Sequence, residues 1–231
     1  MIIQFSPNYN NRPSKCPIDT LVIHYTGMGD FQSALTRLCD PNAEVSAHYL
    51  INENGQVYNL VCESKRAWHA GVSFWRGRSN INDCSIGIEL VNPGHDFGYR
   101  PFSKSQMISL TSLCKAIMLR HPIEKRNVVG HSDIAPRRKQ DPGEKFCWKR
   151  LADNGIGLWP LIQKNKIKEN VDEENLFSRI GYEVDDITAT VIAFQRRFRP
   201  EKVDGIIDLE TKSLIISVCN LFDLADERGS K

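Results

Sequence analysis

Two short apolar segments, each interrupted by a single polar side chain, constrain the fold of this 231-residue chain more than any other feature. Residues 20–26 (TLVIHYT) and 84–92 (CSIGIELVN) are rich in β-branched residues, which predicts buried strands. Because side chains alternate along a strand, His24 and Glu89 face away from their apolar neighbours. A carboxylate in such a strand is costly unless it is paired or faces a polar cleft. The alternatives are an ordinary buried histidine and an edge strand with Glu89 in water.

A polar loop over residues 130–143 (GHSDIAPRRKQDPG) follows a third predicted strand, residues 126–130. The strand delivers His131 at its end, and two prolines keep the loop out of regular helix. Lys139 and Asp141 are two residues apart, so in an extended backbone they project to the same side. The loop can therefore direct a histidine, a lysine and a carboxylate at one point, although by itself it is equally compatible with an ordinary polar surface loop.

The remaining patterns predict an α/β fold in which helices flank the sheet. An Asn-Gly turn at residues 54–55 predicts a β-hairpin over residues 45–61. Ser103 begins a capping-box pattern, and the apolar spacing that follows predicts a helix to about residue 119. Further helices are predicted over residues 31–39, 144–154 and 187–198.

A change of composition predicts two domains. Residues 161–175 are rich in Lys, Asn and Glu and poor in large apolar side chains, which indicates a linker. It separates a larger domain, residues 1–160, from a smaller one, residues 176–231, which is predicted to form three short helices. The clustered arginines of that part are predicted to form a solvated helix face (Arg196, Arg197 and Arg199).

Charge and cysteine content limit the partners and the cellular compartment that we expect for this chain. Thirty basic and twenty-eight acidic residues leave a net charge of +2, and no basic block stands out, which argues against nucleic acid as a partner. No apolar run has the length of a membrane span, and the N-terminal residues lack the pattern of a signal peptide. Seven cysteines without a CxxC pair predict mostly buried free thiols, and therefore a reducing compartment.

The polar residues of the strands and the loop suit a metal-dependent hydrolase. A hydrolytic zinc site needs three nitrogen or oxygen ligands and one open position for water. Two histidines and one carboxylate supply such a set, a further carboxylate can accept the proton of the water, and a lysine can stabilise an oxyanion. Spacing alone leaves this assignment open, because His24 and His131 are more than a hundred residues apart.

Five motifs, in order along the chain, together resemble one known family. They are residues 22–26 (VIHYT), 45–49 (VSAHY), 68–71 (WHAG), 85–90 (SIGIEL) and 130–143. This combination resembles the zinc-dependent N-acetylmuramoyl-L-alanine amidases of type 2, which are related to the peptidoglycan recognition proteins. The resemblance extends over about residues 16–155. It implies a mixed, twisted sheet with helices packed on it and zinc in a cleft on one sheet face.

The resemblance also implies a role for each matching residue. It makes Glu89 the catalytic acid/base and Lys139 the residue that assists at the oxyanion, and it leaves open how the two share proton transfer. The implied zinc ligands are His24, His131 and Asp141. The implied substrate-lining residues are His48, Trp68 and His69.

The reaction implied by the resemblance is hydrolysis of the amide between N-acetylmuramic acid, or its 1,6-anhydro form, and the L-alanine of the peptidoglycan stem peptide. The partners are then peptidoglycan or muropeptide fragments. The alternative is a non-catalytic peptidoglycan receptor on the same fold. Relatives of that kind have lost a metal ligand, whereas all three candidate ligands are present here.

The C-terminal part resembles a three-helix peptidoglycan-binding domain. Residues 193–198 (AFQRRF), 203–205 (VDG) and 208–211 (DLET) carry this resemblance. Such a domain favours the periplasm or cell envelope, whereas the cysteine content favours the cytoplasm, which is the compartment we expect. The sequence does not indicate an oligomeric state.

Overall fold

The centre of the fold is a six-stranded sheet in which residues 20–25 and 85–90 form neighbouring strands. The computed structural model describes residues 1–160 and 172–229. The strands within these residues are β1 (Ile2–Ile3), β2 (Tyr9–Asn11), β3 (Thr20–Tyr25), β4 (Tyr49–Ile51), β5 (Val57–Asn59), β6 (Lys65–Ala67), β7 (Phe74–Trp75), β8 (Arg78–Ser79), β9 (Ser85–Leu90) and β10 (Val128–Gly130). The main sheet has the order β1-β5-β4-β9-β3-β10, and only β4 and β5 are antiparallel, so the sheet is mixed. The pairs β2–β6 and β7–β8 form two small antiparallel ribbons.

The helices lie mostly where the sequence predicts them. Those in the described part of the chain are α1 (Phe31–Cys39), α2 (Lys104–Arg120), α3 (His131–Ile134), α4 (Trp148–Asp153), α5 (Glu173–Ile180), α6 (Ile187–Phe198) and α7 (Leu209–Gly229). Four short 3-10 helices cover Pro41–Ala43, Ile81–Asp83, His95–Phe97 and Lys125–Asn127. Asp30 accepts from the backbone N–H of Ser33 at the start of α1, and Ser103 forms the predicted capping box with Gln106.

The two faces of the sheet carry different side chains. Leu21 and Ile23 of β3 and Ile88 of β9 pack against α2 in one hydrophobic cluster, whereas Val22 belongs to a second cluster on the other face. This alternation confirms the predicted parity. The edge-strand alternative for Glu89 is wrong, because β9 lies between β3 and β4 inside the sheet. Together, the two hydrophobic clusters cover both faces of these central strands.

The C-terminal helices pack on the second face. Phe177 of α5 and Phe194 of α6 belong to the same buried cluster as Val22 and Val129 of the sheet. Of the predicted linker, residues 161–171 lie outside the described part, and residues 173–175 begin α5. The helices therefore share a hydrophobic core with the sheet. The division of the chain into two domains stays a prediction.

Two local expectations are wrong, and each has a physical reason. The arginines in and directly after α6 are not solvated, because α6 packs against the sheet and each of them lies beside a carboxylate (Arg196 8%, Arg197 2% and Arg199 6% exposed). The helix predicted over residues 144–154 begins only at Trp148. In the preceding segment the backbone N–H groups of Phe146 and Trp148 donate to the carbonyls of Gly143 at 3.2 Å and Phe146 at 3.0 Å, which are turn contacts and not the i to i−4 bonds of an α-helix.

All seven cysteines are free thiols, as expected, but only three of them are buried. These three are Cys84, Cys114 and Cys219. Among the residues that the structure describes, no helix is long and apolar enough to cross a membrane.

Candidate active site

Two histidines and one carboxylate meet at the carboxyl end of β3 and β10. The parallel pairing of these strands aligns Gly130 with Ile23, so His24 and His131 follow the same point of the sheet. The backbone N–H of Ser132 donates to the carbonyl of Asp141 at 2.9 Å, which folds the loop back on itself. As a result, His24 Nδ1 lies 3.0 Å from His131 Nδ1 and 3.0 Å from Asp141 Oδ2, and His131 Nδ1 lies 3.1 Å from the same oxygen.

The outer ring nitrogens of both histidines have partners of their own. His131 Nε2 lies 3.0 Å from the carbonyl oxygen of Ala70, which can only accept, so this nitrogen carries the proton and Nδ1 is a bare lone pair. His24 Nε2 lies 3.1 Å from His69 Nδ1, and His69 Nε2 lies 3.2 Å from Ser85 Oγ. When His24 Nε2–H donates to His69 and His69 donates to Ser85, the Nδ1 of His24 is bare as well, and this is the tautomer in which both histidines can bind a cation.

This donor set fits a metal cation. Two bare nitrogen atoms and a carboxylate oxygen, all buried and about 3 Å apart, repel one another unless a positive charge lies between them. Atoms at this separation can all reach one ion at bond lengths of about 2.0–2.2 Å. Ligand histidines typically donate their second N–H to a carbonyl or another acceptor, as both do here.

The electrostatics of His24 and Asp141 agree with this use. Burial lowers the pKa of His24 to about 4, and repulsion from His131 contributes, so the ring is neutral near pH 7. Burial alone would raise the pKa of Asp141, but the charge and hydrogen bonds of His131 and His24 outweigh it and lower that pKa far below its ordinary value. A neutral imidazole and an ionised carboxylate are the protonation states that bind a metal.

Glu89 lies beside this group with a carboxylate oxygen that has no partner. It is aligned with His24 across the β3–β9 pair, is 9% exposed, and its Oε2 makes no hydrogen bond to any described group. Burial raises the pKa of Glu89 well above 4.5, the negative charge of Asp141 adds to this, and Lys139 opposes it. An unpaired buried acceptor in a polar cleft is suited to receive a proton.

A cleft of about 350 Å³ brings the candidate catalytic groups together. Glu89, Lys139 and Asp141 all line it, together with His131 and His69. The structure therefore assembles residues from β9, from the loop after α3 and from the segment after β6 in one place. Lys139 is half-buried, and its backbone N–H is held by the carbonyl of Ala135 at 3.0 Å.

The predicted substrate-lining residues have different surroundings. His69 lines the cleft, but its ring nitrogens are both occupied by His24 and Ser85. His48 is fully buried, accepts from the backbone N–H of Gly87 at 3.0 Å and lies close to the carbonyl of Lys65, so the structure does not support its predicted contact with a substrate. Half-buried Trp68 donates from Nε1 to the side chain of Asn10 at 3.2 Å, and its predicted role stays a prediction.

Two contributions to the site escape sequence reasoning. The carbonyl of Ala70, which orients His131, also accepts from Arg138 Nη2 at 3.1 Å, and a backbone atom has no signature of its own. Gly87 lies so close to the ring of His69 that a Cβ at this position would come within 2.4 Å of that ring. The glycine in the SIGIEL motif was the available signal for this close approach.

Comparison with known proteins gives one consistent result. The profile of the N-acetylmuramoyl-L-alanine amidase family matches residues 14–144. The N-acetylmuramoyl-L-alanine amidase AmiD of Escherichia coli is 41% identical over 225 residues, which cover 85% of this chain and 80% of that protein. The 1,6-anhydro-N-acetylmuramyl-L-alanine amidase AmpD of Haemophilus influenzae is 40% identical over 163 residues, covering 63% of this chain and 86% of its own.

A solved structure shows that the similarity extends over nearly the whole fold. The structure of AmpDh3 from Pseudomonas aeruginosa in complex with anhydromuramic pentapeptide superposes with a TM-score of 0.81 at 34% identity. The match covers 95% of this chain and 98% of that one. It therefore includes the C-terminal helices as well as the sheet.

Proposed function

Because this chain belongs to the N-acetylmuramoyl-L-alanine amidase family, we propose that the cleft is a zinc site in which His24, His131 and Asp141 are the ligands. The observation that carries the proposal is the group of two imidazole nitrogens and one carboxylate oxygen within about 3 Å of one another. The chain hydrolyses the amide between N-acetylmuramic acid and the L-alanine of the stem peptide. A zinc ion held by these residues would polarise the scissile carbonyl and make a water molecule more acidic.

Glu89 is the proton carrier in this proposal. Its unpaired Oε2 accepts a proton from the attacking water, and the same oxygen then gives that proton to the nitrogen of L-alanine as the carbon–nitrogen bond breaks. The products are the lactyl carboxylate of the sugar and the free amino group of the peptide. Burial of Glu89 supports the second step, because it favours a carboxyl group that holds a proton until a base is available.

Lys139 supplies positive charge within the cleft. It lies two residues before the ligand Asp141 and lines the same cleft as Glu89. An ammonium group in this position stabilises the negative charge that develops on the carbonyl oxygen. His69 acts one step away from the chemistry, because it receives the N–H of His24 and so fixes the ring orientation of that ligand.

Mass spectrometry of purified muropeptides after incubation with the protein tests the reaction. We expect free stem peptide from the parent protein and none from Glu89→Ala, with zinc content equal in the two by atomic absorption. A parent protein that binds muropeptides without releasing peptide would instead support a non-catalytic receptor. Near-normal turnover by Glu89→Ala would contradict the role of this residue.

We propose further that the substrate carries the 1,6-anhydro form of the sugar. The proposal rests on relatives described with that chemistry, namely AmpD by name and AmpDh3 by its anhydromuramic pentapeptide complex. Rates on anhydro-muropeptides should exceed rates on intact sacculi at equal concentrations of cleavable amide. Equal or greater rates on sacculi would favour the polymer.

For the compartment we propose the cytoplasm, on the ground that all seven cysteines are free thiols. Fractionation of the native cells with marker enzymes, followed by immunoblotting, tests this directly. Recovery of the protein with periplasmic or envelope markers would contradict it.

A further inference from the structure

A buried ion pair joins α6 to the turn that carries a metal ligand. Arg197 Nη1 lies 2.6 Å from Asp133 Oδ2, and the two side chains are 2% and 1% exposed. Neither residue takes part in the reaction described above. Removing two charges from water is expensive, and the attraction offsets that expense only when the geometry is good and the remaining polar atoms are satisfied.

Asp133 connects this ion pair to His131. Its Oδ2 also accepts from the backbone N–H of Gly130 at 2.7 Å, and its Oδ1 accepts from Tyr182 Oη at 2.7 Å. Gly130 directly precedes His131, so the carboxylate closes the single helical turn that begins with the ligand. Each oxygen of Asp133 therefore has a partner that belongs either to the turn or to the C-terminal helices.

Arg197 reaches the backbone on the other side of His131 as well. Its Nη2 donates to the carbonyl of Val128 at 3.0 Å, in β10. The guanidinium lies 4.3 Å from the ring centre of Trp148, a distance suited to a cation–π contact. One rigid, planar group thus holds positions 128 and 133, which flank the ligand, at a set separation.

The same turn is connected to the third ligand. The N–H of Ser132, inside the turn, donates to the carbonyl of Asp141 at 2.9 Å. Displacement of the turn would therefore move His131 and Asp141 together. The ligand atoms of both residues lie 3.0 Å from Nδ1 of His24 on β3, so a small displacement of the turn changes the distances that a bound ion requires.

We propose that Arg197 and Tyr182 are positioning residues for the metal site: they hold Asp133, and through it they set the positions of His131 and Asp141. The inference rests on the proposed function, because it takes these two residues as ligands. It gives the C-terminal helices a part in catalysis that is independent of any binding to the cell wall.

Arg199, which directly follows the last residue of α6, offers a control. It is 6% exposed and pairs with Asp208 at 2.5 Å and with Glu210, and its hydroxyl partner Thr211 also lies in the C-terminal part. Arg197→Lys and Arg199→Lys therefore remove the same guanidinium group from two buried arginine side chains, of which Arg197 pairs with the buried Asp133 and Arg199 with the more exposed Asp208 and Glu210. Of these two pairs, only that of Arg197 contacts the ligand turn.

The experiment compares the zinc affinity of four full-length proteins: the parent, Arg197→Lys, Tyr182→Phe and Arg199→Lys. Competition with a chromophoric chelator gives the dissociation constant, and the visible spectrum of the Co²⁺-loaded protein reports the ligand geometry. We expect Arg197→Lys to weaken zinc binding by about 10- to 100-fold and to change the Co²⁺ spectrum, as is usual when a group that orients a ligand is lost. Tyr182→Phe should change both in the same direction, and Arg199→Lys should lower the melting temperature while its zinc affinity stays within twofold.

Two results would overturn the inference. Folded Arg197→Lys and Tyr182→Phe proteins that bind zinc within twofold of the parent would show that the ion pair only joins the helices to the sheet. An equal loss of zinc affinity in Arg199→Lys would show a general effect of destabilisation. If Arg197→Lys does not fold, Tyr182→Phe decides, because it removes a single hydroxyl group. A parent protein that binds no zinc would contradict the proposed function itself, and the inference would fall with it.

Discussion

At the scale of single residues, the site depends on which atoms have partners and which do not. Ala70 fixes the proton of His131 on Nε2 and leaves Nδ1 free, and His69 does the same for His24. Glu89 is the reverse case, since one of its buried oxygens has no partner among the described groups. The two facing imidazole nitrogens favour binding of a cation, and the unpaired carboxylate oxygen of Glu89 favours binding of a proton.

The first expectation concerns Glu89→Gln, which keeps the shape of the side chain but cannot accept a proton. We expect kcat to fall by about 10²- to 10⁴-fold, the usual contribution of a general base, while the zinc dissociation constant stays within a few-fold of the parent. Steady-state kinetics on a defined muropeptide and a zinc titration measure the two quantities. A variant that loses its zinc would show that Glu89 acts as a ligand.

Sequence reasoning at this scale correctly brought His24, His131 and Asp141 together beside Glu89, but it misjudged the surroundings of His48. The family motifs identify the matching residues, and the strand pattern indicates the sheet face to which each side chain points. They do not show that the ring of His48 is fully buried, with Gly87 and Lys65 as backbone partners. Such contacts arise only when β4, β6 and β9 come together.

At the scale of elements, the site is a product of strand order. Three strands that are separated along the chain, β3, β9 and β10, lie next to one another in the sheet. Their register brings His24 beside both Glu89 and the start of the loop over residues 130–143. The sequence predicted each strand from its own composition. It could not predict their order without the family resemblance, because strand pairing is a long-range property.

The prediction for the arginines of α6 was wrong for the same reason, because it depends on contacts with distant parts of the chain. A run such as Arg196-Arg197 in a helix usually faces water, and the helical spacing alone gives no reason to expect otherwise. The carboxylate that neutralises Arg197 is Asp133, which lies 64 residues earlier in the chain. A buried charge can be recognised from sequence only when its partner is known.

The second expectation tests the packing of β9 against His69. Gly87→Ala places a Cβ within 2.4 Å of the imidazole ring, so either the ring or the strand must shift. We expect a loss of about 1–3 kcal/mol in the free energy of unfolding, which is typical of an overpacked core, and weaker zinc binding because His24 loses its hydrogen-bond partner. Urea unfolding and zinc titration measure these effects.

Gly29→Ala is the control for that substitution. No described atom lies within 4 Å of a Cβ built at Gly29, so the free energy of unfolding should change by less than about 0.5 kcal/mol. Equal stability and equal zinc affinity in Gly87→Ala and Gly29→Ala would contradict the tight packing of His69.

At the scale of the whole molecule, polar contacts hold the layers together at positions far from the cleft. Glu63 accepts from Tyr49 of β4 at 2.6 Å, from Arg120 of α2 at 2.6 Å and from His121 at 2.7 Å. Burial alone would raise the pKa of Glu63, but these hydrogen bonds outweigh it and lower the pKa to about 2. One carboxylate therefore connects the sheet to the end of α2.

The third expectation is that this contact makes stability depend on pH. A carboxyl group with a lower pKa in the folded state contributes stability above its unfolded pKa, near 4.5, and loses it as the pH falls from about 4.5 to 2. Because the partner Arg120 is half-exposed and screened by solvent, we expect the parent to exceed Glu63→Gln by only about 1 kcal/mol at pH 7 and by less at pH 3. Urea unfolding of both proteins in the presence of EDTA removes any contribution from metal ligands. A difference that is the same at both pH values would contradict this assignment.

The fourth expectation is that a metal ion bound by these residues increases the stability of the entire fold. His24, His131 and Asp141 come from β3 and from the loop after β10, so an ion bound between them links elements that unfolding separates. An ion that binds only the folded state, present at about a thousandfold excess over its dissociation constant, stabilises by roughly 4 kcal/mol, which corresponds to about 8–16 °C in Tm for a chain of this size. EDTA should therefore lower the Tm of the parent by that amount, and added Zn²⁺ should restore it. Asp141→Ala should have one Tm in both conditions, because a cation is no longer bound. A parent protein that keeps its Tm and its activity after exhaustive removal of metal would show that protons, rather than a cation, neutralise the two facing imidazoles.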